Sequence, residues 1–126
     1  MHALIIDDDK FNLEVLQHLL KAEGVSFTAL QDPSRLLSIL ESEEEQIDIV
    51  FLDLEMPKFN GYQIFEMIRE NLGADVPIIA CTVHLNEVDN ARELGFNGFM
   101  AKPLDRVRFK SQFARLRDNQ PVWDLG

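Results

Sequence analysis

Five short runs of apolar and β-branched residues recur along the chain, at 3–6, 25–30, 47–52, 76–83 and 97–101, each closed by residues that break regular structure. After each run the hydrophobic period lengthens. Phe11, Val15 and Leu19 follow the first run at spacing four, with Leu16 and Leu20 beside them. Phe65, Ile68 and Leu72 follow the third at spacings of three and four, as do Phe109, Phe113 and Leu116 after the fifth. These spacings predict amphipathic helices packed on a sheet. The second helix is expected to open at Asp32-Pro33-Ser34, where Asp32 can cap free amides and Pro33 suits the first helical position, before Leu36, Leu37 and Leu40. The fourth, over 86–94, has only Val88, Ala91 and Leu94 as a stripe and should be the least firmly anchored.

Strict strand–helix alternation, repeated five times, predicts a single-domain α/β fold: a doubly wound five-stranded parallel sheet with helices on both faces and right-handed crossovers. The apolar runs at 47–52 and 76–83 suit central strands buried on both sides, and the alternating run at 25–30 suits a place nearer an edge. The domain is expected over 1–118. Pro121 and Trp123 break the pattern in 119–126, which reads as a mobile end or the stub of a linker.

Composition narrows the setting. At 126 residues the chain has the size of one domain, and its one cysteine, Cys81, permits no internal disulfide, so a reducing, cytoplasmic setting is expected. No signal-peptide pattern or membrane-spanning run is present. Twelve Lys plus Arg against 22 Asp plus Glu leave a formal charge of −10, which repels the phosphate backbone and argues against direct nucleic-acid binding. Glu41, Glu43, Glu44 and Glu45 form one acidic run, read as a solvated helix end and loop.

In an open α/β sheet, ligands bind beyond the carboxyl ends of the strands, and the polar residues of this chain gather there. The first run leads into Asp7-Asp8-Asp9, the third into Asp53, the fourth into Thr82 and the fifth into Lys102-Pro103. Two carboxylates ~5 Å apart at an effective dielectric near 20 repel by roughly 3 kcal/mol, so a convergence of Asp7, Asp8 and Asp53 calls for a cation. A hard oxygen site short of ligands suits Mg²⁺, which keeps waters and accepts phosphate oxygens. Asp53, alone at its strand end, is then the natural nucleophile toward phosphorus. Asp7 and Asp8 are placed to hold the ion, Lys102 to supply a compensating charge, and Thr82 to donate a hydroxyl to a phosphate oxygen.

These residues resemble the receiver domain of two-component response regulators over about 3–116. The matching marks are Ile5-Ile6-Asp7-Asp8, Leu52-Asp53-Leu54-Glu55-Met56-Pro57 followed by Gly61, Thr82, and Gly98-Phe99-Met100-Ala101-Lys102-Pro103. The resemblance implies the flavodoxin-like strand order 2-1-3-4-5, which is known for such proteins. It implies that Asp53 accepts a phosphoryl group from a phosphohistidine on a sensor histidine kinase or a histidine phosphotransfer protein. Mg²⁺ would be held by Asp7, Asp8, Asp53 and the backbone carbonyl of Glu55. Thr82 and Phe99 would form the switch pair, with Thr82 moving toward the phosphate and Phe99 turning inward. A cis Lys102–Pro103 bond is expected. A downstream effector would read the face of the fourth helix, fifth strand and fifth helix, and a phosphorylation-dependent homodimer is a further option. A stand-alone receiver, a phosphoacceptor switch in place of a turnover enzyme, is thus expected. Val83 departs from the small residue usual beside the threonine; it should narrow the phosphate's entrance and slow phosphorylation or dephosphorylation. Glu55 and His84 stand where such domains vary, and can place or exclude attacking water.

Plainer readings stand beside several of these. Asp9 reads as the cap of the first helix in preference to a third metal ligand. His18 and His84 lack metal-ligand partners at fitting spacing, Cys81 reads as a small buried hydrophobe, and Phe99 gains its switch reading only from its place three residues before Lys102. Arg106, Arg108, Lys110, Arg115 and Arg117 read as a solvated, dipole-favoured face, with docking of an acidic partner as the sharper alternative. Among rivals, a haloacid dehalogenase-type phosphatase would carry its nucleophile as Asp-x-Asp after the first strand. A flavodoxin or nucleotide binder would need a phosphate loop where this chain has three aspartates. A degenerate receiver acting only through protein contacts sits poorly with the intact Asp7, Asp8, Asp53, Thr82 and Lys102 set.

Overall fold

The computed structural model describes residues 1–42 and 46–125. Each expected run holds a strand: β1 (His2–Ile6), β2 (Ser26–Leu30), β3 (Ile49–Asp53), β4 (Ile78–Thr82) and β5 (Gly98–Ala101). Helices α1 (Lys10–Ala22), α2 (Leu36–Glu41), α3 (Gly61–Leu72), α4 (Val88–Leu94) and α5 (Arg106–Arg117) alternate with them. The strands pair in parallel, β1, β3 and β4 are buried along their whole length, and the alternating β2 lies at one edge.

The expected five-stranded sheet has a sixth member. Val122–Asp124 (β6) pairs in parallel with β5, setting Val122 opposite Gly98, Trp123 opposite Phe99 and Asp124 opposite Met100, so the order is β2-β1-β3-β4-β5-β6. The segment after α5 is therefore built into the sheet and is not the loose tail that its broken pattern suggests. Asn119, at φ 58, closes α5; its N–H donates to the Leu116 carbonyl at 3.1 Å, and that of Gln120 donates to Arg115 at 2.9 Å. Pro121 falls just ahead of the strand, where its missing N–H costs no ladder bond. Val122 is fully buried, the Arg92 guanidinium lies 4.4 Å from the Trp123 ring centre, and Asp124 accepts from Arg108 at 3.0 Å and Gln112 at 2.5 Å. Burial of one valine contributes roughly 2 kcal/mol and the part-buried polar contacts about 1 kcal/mol each, so β6 is held by few groups.

Each face of the sheet has its own core. Leu4, Ile6, Val50, Leu52, Ala80 and Phe99 pack against α2, α3 and α4, while Ala3, Ile5, Phe51, Ile79 and Met100 pack against α1 and α5. Phe11 departs from the expected stripe: it is 70% exposed, because the buried face of α1 is set by Leu13, Leu16 and Leu20, and Phe11 projects from nearly the opposite side. Asp9 caps α1 as expected, accepting from the amides of Phe11 at 2.8 Å and Asn12 at 3.2 Å. Asp32 caps the 3₁₀ turn Pro33–Arg35 that precedes α2. Ala91 alone is buried in α4, in keeping with its thin stripe. Of the acidic run, 43–45 lie outside the described residues.

At the amino ends of β4 and β5, the Arg69 guanidinium donates to Val76 at 2.7 Å, Gly73 at 3.1 Å, Gly95 at 3.3 Å and the Asn97 side chain at 2.8 Å. Among the described residues no helix is long and apolar enough to cross a membrane.

Gly98 admits β6 through close approach: a Cβ there would stand 2.7 Å from the Val122 carbonyl oxygen and 3.0 Å from Ile79 Cδ1. Gly98→Ala should loosen β6 while β1–β4 stay paired. Amide exchange at 122–124 should rise at least about tenfold, and denaturant stability should fall by about 1–3 kcal/mol; unchanged exchange would show that the contact is not what seats the strand.

Candidate functional site

The carboxyl ends of β1, β3, β4 and β5 meet at one rim, and the chain places Asp7, Asp53, Thr82 and Lys102 on them. Asp7 and Asp53 are 6% and 5% exposed, and Thr82 is fully buried. Lys102, the residue after β5, sends its ammonium to 2.6 Å from Asp7 Oδ2 and 3.6 Å from Asp53 Oδ1. Asp7, Asp8 and Asp53 each offer an oxygen, and these lie within 4.8 Å of one another. Asp7, Asp8, Asp53 and Lys102 are thus brought together, with the lysine engaged first by Asp7, and Thr82 ends the strand beside Asp53's.

Backbone amides fix the acids. The Asp9 N–H donates to Asp7 Oδ1 at 2.9 Å, and the Glu55 N–H donates to Asp53 Oδ1 at 3.0 Å. Gly61, at the start of α3, makes that second turn possible: a Cβ would lie 2.9 Å from Leu54 Cα. The Lys102 N–H donates to the Thr82 carbonyl at 2.9 Å, the following Lys102–Pro103 bond is cis as expected, and Thr82 Oγ1 accepts from the His84 amide at 3.1 Å.

Burial pushes the Asp53 carboxyl up to about 7; the Lys102 ammonium and the Glu55 amide pull it down, and Asp7 adds to the rise. Burial opposes the charge on Lys102 too, but the Asp7 hydrogen bond and both carboxylates outweigh it and hold the ammonium above the ordinary lysine range. Three carboxylates therefore face one ammonium. Their donor set is entirely hard oxygen, which suits a small divalent cation that keeps part of its water shell.

A cavity of about 420 Å³ opens over Asp53, walled by Asp8, Asp9, Asn12, Glu55, Pro57, Val83 and Lys102. Val83 is 60% exposed in that wall. His84 Nε2 stands 3.7 Å from Glu55 Oε2, bringing the two variable positions together beside the opening. The sequence reading missed the Tyr62 hydroxyl's hydrogen bond to Glu87, which ties the start of α3 to the 3₁₀ turn before α4; spacing carries no signal for it.

Phe99 is fully buried in the α3–α4 core. His18 is exposed on α1. Burial raises the Cys81 thiol to about 12, as befits a packed hydrophobe. On α5, Arg106, Lys110, Arg115 and Arg117 are exposed, but Arg108 is drawn into ion pairs with Asp105 at 3.8 Å and Asp124 at 3.0 Å.

A family model described as the response regulator receiver domain matches residues 3–114. The chain belongs to that family. The receiver is 32% identical over 114 residues to an osmosensing histidine protein kinase from Saccharomyces cerevisiae, covering 86% of this chain and 9% of that protein. It is 32% identical over 133 residues to the response regulator SaeR from Staphylococcus aureus, covering 98% of this chain and 56% of SaeR. The chain thus spans only part of the length of these curated relatives. Among solved structures, the receiver domain of a sensor histidine kinase from Pseudomonas aeruginosa, with a magnesium ion coordinated in its active-site cleft, aligns with a TM-score of 0.73 at 28% identity, covering 90% of this chain and 94% of that one. The receiver belongs to two-component signalling.

The carboxyl of Asp53 titrates near 7 in the fold and near 4 in the unfolded chain. Below about pH 4 both states hold the proton, and between about 4 and 7 only the unfolded state releases it. Its contribution to stability is therefore lost as pH rises through that window. In chelator, Asp53→Asn should match the wild type near pH 4 and exceed it by about 1–3 kcal/mol at pH 7.5 in urea denaturation; a gap independent of pH would contradict the assignment.

Proposed function

We propose that Asp53 is a phosphoacceptor and that the chain is a switch, not a turnover enzyme. The observation that carries this reading is the position of Lys102, which reaches Asp7 at 2.6 Å and Asp53 at 3.6 Å and so joins three strand ends in one charged rim. The donor is a phosphohistidine on a sensor histidine kinase or a histidine phosphotransfer protein. An Asp53 oxygen forms the new O–P bond as the N–P bond of the phosphohistidine breaks; the ring, already protonated on its other nitrogen in the donor, takes the electron pair of the broken bond and leaves as neutral imidazole.

Each neighbour has a part. The Glu55 amide and Lys102 hold Oδ1, which leaves the second oxygen as nucleophile. Lys102 balances charge on the transferring oxygens. Thr82 Oγ1 accepts from the His84 amide and keeps its own proton to donate to the phosphoryl group. Asp7, Asp8, Asp53 and the Glu55 carbonyl would hold Mg²⁺, whose positive charge steadies the phosphoryl oxygens. Support comes from the three convergent carboxylates and from the magnesium in the Pseudomonas receiver. Thr82 is one residue from Lys102 across the β4–β5 ladder, so its movement toward the phosphate strains β5, where Phe99 lies. An effector reads the result on the face of α4, β5 and α5.

Incubation with Mg²⁺ and acetyl phosphate, followed by intact mass, should give one base-labile phosphoryl adduct. The adduct should vanish in Asp53→Asn and in chelator, and Lys102→Ala should slow its formation at least about tenfold. An adduct that survives Asp53→Asn would sink the proposal, and steady turnover of phosphomonoesters would point to a phosphatase.

A further inference from the structure

A sheet edge exposes unpaired amides and carbonyls and so accepts an extended strand. In this chain the β5 edge is already filled, from within, by three residues of distinct chemistry. The first, Val122, is fully buried among the apolar side chains under α5. The second, Trp123, lies beneath the Arg92 guanidinium of α4, 4.4 Å from its ring centre. The third, Asp124, is gripped by Arg108 at 3.0 Å and Gln112 at 2.5 Å from α5. Gly98 leaves room for the backbone: a side chain there would meet the Val122 carbonyl at 2.7 Å. Position, ring and charge are each met by a separate group on two helices and a strand, which is how a sheet edge reads sequence in an added strand.

We infer that the β5 edge between α4 and α5 is a recognition groove for an extended aliphatic–aromatic–acidic segment of a partner protein, and that Val122–Asp124 occupies it in cis as a displaceable guard. The inference rests on the function proposed above, since this is the face whose affinity answers to Asp53. The guard is suited to exchange, being three residues long and, among the described residues, paired with a strand on one side only. It also touches the switch directly: Trp123 is the register partner of Phe99 and packs against the same core. A partner that takes the groove removes Trp123 from beside Phe99, and a displacement of β5 alters the ladder that seats the guard. Binding at the edge and the state of the rim are thereby coupled through four residues of one strand.

The test uses the full chain, Trp123→Ala and Asp124→Arg, with a fluorescein-labelled peptide of the sequence of residues 119–125 as probe. Trp123→Ala removes the ring, and Asp124→Arg sets like charge against Arg108 while sparing the core, so the two loosen the guard by independent routes. Both variants should lose amide protection at 122–124 and bind the peptide at least about tenfold more tightly than the unaltered chain. A peptide carrying Lys in place of its Asp should not bind. Equal affinity in all three proteins, no binding by variants whose 122–124 amides exchange freely, or full protection retained in both variants would each overturn the inference. The acetyl phosphate adduct is measured on the same samples. An adduct with no peptide discrimination removes the groove and leaves the phosphoacceptor; discrimination with no adduct does the reverse.

Discussion

The ion pair between Lys102 and Asp7 is the contact on which the rim depends. At 2.6 Å, with side chains 11% and 9% exposed, it is nearly out of water. β1 and β5 are not neighbours; β3 and β4 lie between them, so the lysine reaches over two strand ends to its partner. Asp53 lies beneath that bridge, and Thr82 beside its root. Loss of either partner would strand a charge in a poorly solvated place, which is costly in a way that loss of an exposed pair is not. A surface so arranged tolerates a third carboxylate only on terms: a proton, the ammonium, or a cation from solution.

Much of this was legible in the sequence because it rests on period and position. Runs of β-branched residues fixed the strands to within two or three residues, and the change of period after each run fixed the order of elements. Asp9 as a cap, Cys81 as a packed hydrophobe and the burial of Phe99 follow from their immediate neighbours. The misses have a common cause. β6 is three residues long, follows a proline and mixes aliphatic, aromatic and acidic side chains, so no periodicity marks it. Its place is set by Gly98, Arg92, Arg108 and Gln112, which are distant in sequence. Phe11 was misassigned because spacing of four fits two faces of one helix, and only the sheet beneath decides between Phe11 and Leu13. The preference of Lys102 for Asp7 over Asp53 is a matter of side-chain reach, on which strand order is silent.

β5 gathers the functions of the domain into a few residues. Its carboxyl end delivers Lys102 to the rim, its middle carries Phe99, and its amino end carries the glycine against which β6 lies. A strand of four residues has little freedom to bend between these points. The rim, the Phe99 core and the β6 edge are thus three consecutive stations on one short strand, although the edge makes no contact with Asp53.

Arg69 gives this layout a direction. Its guanidinium gathers carbonyls from the end of α3 and from the loops entering β4 and β5, together with the Asn97 side chain, all at the pole opposite the acids. One planar group thus ties the entries of both strands together, while the acids and the lysine sit at the exits, where the following loops carry Asp8, Val83 and Pro103. The receiver divides its polar side chains between two poles: a cation that gathers backbone carbonyls at one, and carboxylates gathered around an ammonium at the other.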